Sequence, residues 1–129
     1  MSKHLLETGF FAFEDLEVYQ LSVDYRVDMY TLLTQFPDSE KFGLVSQIKR
    51  SVTSVTLNIA EGRGRGTDKD FVKFLHQARG SLFEVVAGFH LAERLGFVKR
   101  EQTKILYSKA KTLVAKLSVF IQKLSEKDS

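Results

Sequence analysis

The sequence has no cysteine, no tryptophan and a single proline among its 129 residues. Without cysteine there is no disulfide, no thiolate zinc site and no cysteine nucleophile, so redox and zinc-finger chemistry drop out together, a pattern that fits a reducing cytoplasm. Long apolar runs are missing as well. No stretch approaches the ~20 residues that span a bilayer, and the start Met1-Ser2-Lys3-His4-Leu5-Leu6-Glu7 lacks the apolar stretch of a signal peptide. The expectation is a cytoplasmic protein with no membrane contact. Histidine is scarce, and His4, His76 and His90 do not make a ligand set: the last two lie fourteen residues apart with no Glu-x-x-His pattern. No nucleophile, base and orienting group stand together, so neither metal, cofactor nor enzymatic activity is expected.

What is present is apolar and periodic. Hydrophobic residues make up 43% of the chain, enough for one globular domain with a real core and no room for a second. Before Pro37, Leu16, Tyr19, Val23, Val27, Tyr30 and Leu33 recur at three- and four-residue spacing, with a second stripe of Val18, Tyr25, Met29, Leu32 and Phe36 beside it. Val45, Ile48, Val52, Val55 and Ile59 form a heptad seam. So do Phe71, Phe74, Ala78, Leu82, Val85, Phe89 and Ala92, and Ile105, Leu106, Leu113, Leu117, Phe120 and Leu124 keep bundle spacing. Pro37, the run Gly62-Arg63-Gly64-Arg65-Gly66 and Gly96 punctuate these segments. The spacing predicts helices over about 14–36, 39–62, 68–95 and 99–126, capped by Asp38 or Ser39 and by Thr67 or Asp68, with residues 1–12 as a loosely held arm. Connections this short make successive helices antiparallel neighbours, so the predicted fold is all-α, an up-down-up-down four-helix bundle.

The net charge is only +3, yet its distribution is lopsided. Residues 1–61 hold five basic and nine acidic side chains, and residues 62–129 hold fourteen and seven. The Arg-Gly run lacks the Gly-Lys-Ser/Thr ending and the preceding strand of a nucleotide loop. As a basic connector it is better, because Arg63 and Arg65 precede a helix N-terminus that favours anions and Lys69 and Lys73 follow within two turns. Lys99, Arg100 and Lys104 form a second cluster at the other end of a bundle ~40 Å long. These seven residues are the candidate nucleic-acid contacts; the alternative is that they only keep the protein soluble.

A polar stripe, Gln47, Arg50, Ser54, Asn58 and Glu61, runs beside the seam of the second helix. It is either a solvated margin or one side of a network between helices, where burial without partners is costly. On the third helix Gly80, Glu84 and Gly88 lie one turn apart, and two glycines cost ~1 kcal/mol each against alanine, which suggests a packing reason. Asn58 or Arg50 is then the nearest partner for Glu84. The surplus apolar stripes on helices one and three argue for self-association.

Phe36-Pro37-Asp38-Ser39-Glu40, Gln47-Ile48-Lys49-Arg50-Ser51, Asn58-Ile59-Ala60-Glu61-Gly62 and Ala78-Arg79-Gly80-Ser81-Leu82-Phe83-Glu84 occur in an order and spacing that resembles the bacterial four-helix bundle proteins encoded in intervening sequences of 23S ribosomal RNA genes, the "ribosomal protein S23" type. The resemblance covers about residues 13–96; beyond, helix four matches only in character. It implies a homopentamer with no enzymatic activity, and it implies that Asn58, Glu61, Arg79, Gly80, Ser81 and Glu84 are bundle or interface positions. A more distant likeness, by fold alone, is to the basic accessory bundles of diversity-generating retroelements, which bind nucleic acid and a reverse transcriptase. Two functions are therefore expected: a homo-oligomer that grips RNA or DNA phosphates without reading bases, or a scaffold that docks a partner protein. For the scaffold, Phe10, Phe11 and Phe13 are a docking element unless they pack on the bundle's own core.

Overall fold

The computed structural model describes residues 9–126. Four helices make up almost all of it: α1 (Glu17–Leu33), α2 (Leu44–Arg63), α3 (Asp68–Arg94) and α4 (Arg100–Glu126), with 3-10 turns at Ala12–Asp15 and Asp38–Glu40. Among the described residues there is no strand.

The heptad seam of α2 is buried throughout, and α3 buries the residues expected of it with Leu75 added and Phe74 only half-buried. On α1 the two apolar stripes part company. Val18, Tyr25, Met29, Leu32 and, just beyond, Phe36 enter the core; of the other stripe Leu33 joins them and Leu16 and Tyr19 pack against it, whereas Val27 and Tyr30 are 64% and 62% exposed. A helix has one face to bury, so a second stripe must find another partner or meet water. On α4, Ala110 and Ile121 take core positions while Ile105 points outward.

Two helix starts differ from the sequence reading. Helix α2 begins at Leu44, not near residue 39, because Asp38–Glu40 winds as a 3-10 turn after Pro37. Neither Asp38 nor Ser39 caps it; the Glu40 carboxylate accepts the Leu44 amide at 3.1 Å. Helix α1 stops at Leu33, and Gln35 and Phe36 donate instead to Leu32 and Leu33 in a tightened last turn. The 3-10 turn at Ala12–Asp15 likewise delays its start to Glu17. The ends of α3 agree with expectation. Thr67 Oγ1 accepts the Asp70 amide at 3.2 Å. At the other end Gly96, at φ +79°, lets its own amide and that of Phe97 close onto Glu93 and Ala92 as a Schellman motif.

Each helix packs on the two that adjoin it around a square, α1 on α2 and α4, α3 on α2 and α4, with no close backbone approach across either diagonal. Every seam is antiparallel and carries a hydrogen bond between polar groups. Thr56 Oγ1 donates to Ser22 Oγ at 2.9 Å between α1 and α2, and the Ser54 and Ser81 hydroxyls are hydrogen-bonded at 2.9 Å between α2 and α3. Thr103 Oγ1 donates to Glu93 at 2.8 Å between α3 and α4, and the Tyr25 hydroxyl donates to the Leu106 carbonyl at 3.0 Å between α1 and α4. No buried side-chain nitrogen or oxygen lacks a partner among the described residues.

Candidate nucleic-acid interface

The up-down-up-down path sorts the candidate cations by end. The α2–α3 turn brings together Arg63, Arg65, Lys69 and Lys73, all exposed; the α3–α4 turn, a helix length away, carries Lys99, Arg100 and Lys104, exposed as well. With 27 residues each, α3 and α4 hold the two turns ~40 Å apart. One protomer thus offers two separate basic ends.

Within each group the cations are not equivalent. Arg65 is engaged by its own chain: its guanidinium meets Glu61 at 2.6 Å and lies 4.9 Å from the Phe74 ring centroid. Arg100 pairs with Glu93 at 3.2 Å. Arg63, Lys69, Lys73, Lys99 and Lys104 have exposed side chains with no hydrogen-bond or ion-pair partner among the described residues. The N-terminus of α3 is already supplied with negative charge by Asp68 and Asp70, and Thr67 takes one of its amides. An anion at this end is therefore met by side chains, not by the free helix terminus that the Arg-Gly run suggested.

At the α3–α4 end a cleft of about 200 Å³ is lined by Phe89, His90, Glu93, Arg100, Thr103, Lys104 and Tyr107. Glu93 holds it together. The Thr103 hydroxyl bonded to its carboxylate, and then Arg100 and His90 nearby, keep its pKa below the ordinary carboxylate value despite partial burial. The cluster is a charged clamp between two helices.

The polar stripe of α2 divides in two. Ser54 and Asn58 are half-buried: the Asn58 amide donates to Ser54 Oγ and carbonyl, both at 2.9 Å, and Ser54 reaches Ser81, which donates to the Gln77 carbonyl. Gln47, Arg50 and Glu61 are exposed, and Arg50 donates to Gln47 at 2.7 Å. The network across α2 and α3 is therefore the Asn58–Ser54–Ser81 chain, and within one protomer it does not include Glu84, which is exposed with no hydrogen-bond or ion-pair partner among the described residues. Arg79 turns the other way, to Ser118 on α4 and to His76, at 2.9 Å each. Of the two α3 glycines, Gly88 has its packing reason, since an added Cβ would sit 2.9 Å from Ile48 Cγ1; Gly80 faces open space.

The phenylalanines near the start split. Phe13 packs edge-on against Tyr19 at 4.7 Å, while Phe10 and Phe11 stay exposed. Hydroxyl pairs such as Ser22–Thr56 escaped the sequence reading, although a serine and a threonine within apolar stripes were the visible signal. Among the described residues no group of three or more His, Asp or Glu is placed to hold a metal, and no helix is long and apolar enough to cross a membrane.

Comparison with known proteins agrees with this architecture. No curated protein matches the sequence. A crystal structure of a protein of unknown function from the S23 ribosomal protein family of Bacteroides thetaiotaomicron superposes with a TM-score of 0.73 at 26% identity, covering 81% of this chain and 97% of that one. The family model described as 23S rRNA-intervening sequence protein matches residues 14–119, extending the likeness through most of α4. The chain belongs to the 23S rRNA-intervening sequence protein family, and its bundle is that family's fold.

Proposed function

We propose that this protein is a non-enzymatic homo-oligomeric bundle, pentameric by its resemblance, that holds nucleic acid by its phosphates at the two basic ends of each protomer. The observation that carries this reading is the set of exposed cations left without partners: Arg63, Lys69 and Lys73 at one end, Lys99 and Lys104 at the other. Lysines and arginines already spent on internal pairs, such as Lys109 on Asp28 at 2.6 Å, contribute little to an outside anion. Repetition of such ends around an oligomer concentrates a field that five cations on one protomer do not. Contacts of this kind position a backbone and do not read bases.

The test is a binding titration of the purified protein against structured RNA and duplex DNA at about 50 and 200 mM salt, where multi-phosphate contacts weaken by orders of magnitude. An Arg63→Ala, Lys69→Ala, Lys73→Ala variant lowers the salt slope by about one per charge removed. Absence of binding at the lower salt by a well-folded oligomer overturns the reading. A second reading, a scaffold for a partner protein, is favoured by Phe10 and Phe42, 81% and 89% exposed on opposite ends of α1. A partner recovered by pull-down equally with and without nuclease would select it.

A further inference from the structure

Two of the three connections between helices meet at one end of the bundle. The Gln102 side-chain amide donates to Gln35 Oε1 at 2.6 Å and the Phe36 and Phe97 rings stand 6.4 Å apart, so the α1–α2 and α3–α4 turns touch. At this end Phe42 is 89% exposed. The turn that carries it is well tied: the Glu40, Lys41 and Gly43 amides donate to the Pro37, Asp38 and Glu40 carbonyls, and the Glu40 carboxylate accepts the Leu44 amide. Among the described residues no other ring meets Phe42; the Lys41 ammonium stands over it, 5.7 Å from the ring centroid. Lys41 also lines a hollow of about 170 Å³ with Tyr30, Pro37 and Lys49. An apolar ring held in water among cations suits single-stranded nucleic acid, whose bases have a free face to stack on the ring while its phosphates meet the cations. A duplex keeps its bases stacked on one another and leaves such a ring unused.

Charge separates this end from the other. Its turns and the adjoining helix ends, residues 35–50 and 93–104, hold seven basic and four acidic side chains. Two of those carboxylates are engaged, Glu40 by the Leu44 amide and Glu93 by Thr103 and Arg100. Lys41, Lys49, Lys99 and Lys104 are exposed with no ion-pair partner among the described residues. At the opposite end, residues 9–17, 58–73 and 116–126 hold six basic and seven acidic side chains. Phe10 and Phe11 are exposed there too, but they pack edge-on against each other at 4.9 Å, and the Phe11 amide donates to the Glu14 carboxylate at 3.2 Å. Carboxylates beside that pair repel a phosphate chain.

We propose that the end formed by the α1–α2 and α3–α4 turns holds single-stranded nucleic acid, with a base stacked on Phe42 and the neighbouring phosphates on Lys41, Lys49, Lys99 and Lys104. This rests on the nucleic-acid reading above and names the form of nucleic acid and the ring that grips it.

The chain lacks tryptophan, so Phe42→Trp places a single indole in the site, and at 89% exposure the exchange leaves the core untouched. Oligouridylate or oligothymidylate of about 16 nucleotides is expected to quench its fluorescence, and duplex DNA of the same length far less. At about 50 mM salt, where phosphate contacts are strong, Phe42→Ala is expected to weaken single-strand binding about tenfold and to leave duplex affinity and oligomer size unchanged. Its salt slope stays that of the wild type because no charge is removed, whereas Lys99→Ala with Lys104→Ala lowers the slope by about one per charge. Phe10→Ala, a control at the acidic end, changes neither affinity. No binding of any nucleic acid at that salt overturns both this inference and the reading it rests on. Nucleic-acid binding in which Phe42→Ala keeps its single-strand affinity, or Phe42→Trp stays unquenched, overturns this inference alone. So does a Phe42→Ala variant that changes oligomer size or loses a nuclease-resistant protein partner while keeping the single strand, since the ring then faces protein.

Discussion

Gly62 and Gly80 show how differently one residue type is used. Helix α2 approaches α3 so closely at Gly62 that an added Cβ would lie 2.5 Å from Phe74 Cβ, which is fixed to the backbone and cannot swing away. Gly62→Ala is expected to cost about 1–3 kcal/mol through overpacking. Around Gly80 nothing lies within 4 Å, so Gly80→Ala is expected to stabilise by about 1 kcal/mol through helix propensity. Urea unfolding of the two variants settles this; shifts of the same sign sink the explanation. Tyr25 gives a pH signature at the same scale. Burial raises its hydroxyl pKa above the ordinary 10.0. The unfolded chain therefore loses the proton first, and the stability that depends on it is complete below pH 10 and falls as pH rises further. Tyr25→Phe is expected to flatten that alkaline decline, measured as unfolding free energy against pH.

At the scale of the helix pair, Glu93, Arg100 and Thr103 clamp the α3–α4 turn. Thr103 is buried and its hydroxyl donates to the Glu93 carboxylate, the chief reason that carboxylate ionises below its ordinary range. A depressed carboxylate pKa stabilises the fold above the unfolded value, and the contribution is lost as pH falls through the folded one. Thr103→Val is expected to destabilise by about 1–2 kcal/mol at neutral pH, since it removes a hydrogen bond to a charged group. The loss should shrink in acid, where the protonated Glu93 no longer contributes in either protein. A Thr103→Val penalty independent of pH between neutrality and pH 3 would contradict this origin. Helix identities were legible in the sequence because period and punctuation are local properties. The start of α2 was not: Asp38 and Ser39 look like caps, and only the 3-10 turn after Pro37 hands that role to Glu40.

At the scale of the molecule, the homo-oligomer proposed above would couple stability to assembly. A folded state that associates while the unfolded state does not is favoured by mass action. The melting temperature is thus expected to rise with protein concentration, and scanning calorimetry over a hundredfold range would show it; a constant value would mean that no such assembly forms. The candidate basic residues were all legible as charges, but their sorting was not. Sequence distance places Arg65 beside Arg63 as an equal, whereas folding brings Glu61 and Phe74 onto Arg65 and leaves Arg63 bare. It also removes Glu84 from Asn58 and Arg50, because Asn58 closes onto Ser54 within its own helix.

Composition and spacing by themselves determined that this is an all-α four-helix bundle: apolar residues every three or four positions can be buried only on one face of a helix, and short connections leave each helix beside the next. They determined also where the positive charge lies along the chain. Tertiary structure alone decided which members of the two α1 stripes enter the core, which hydroxyls join across seams, which glycines are needed for close approach and which cations remain free. Each of those outcomes depends on a neighbour distant in sequence, and no pattern internal to one helix records what its partner presents.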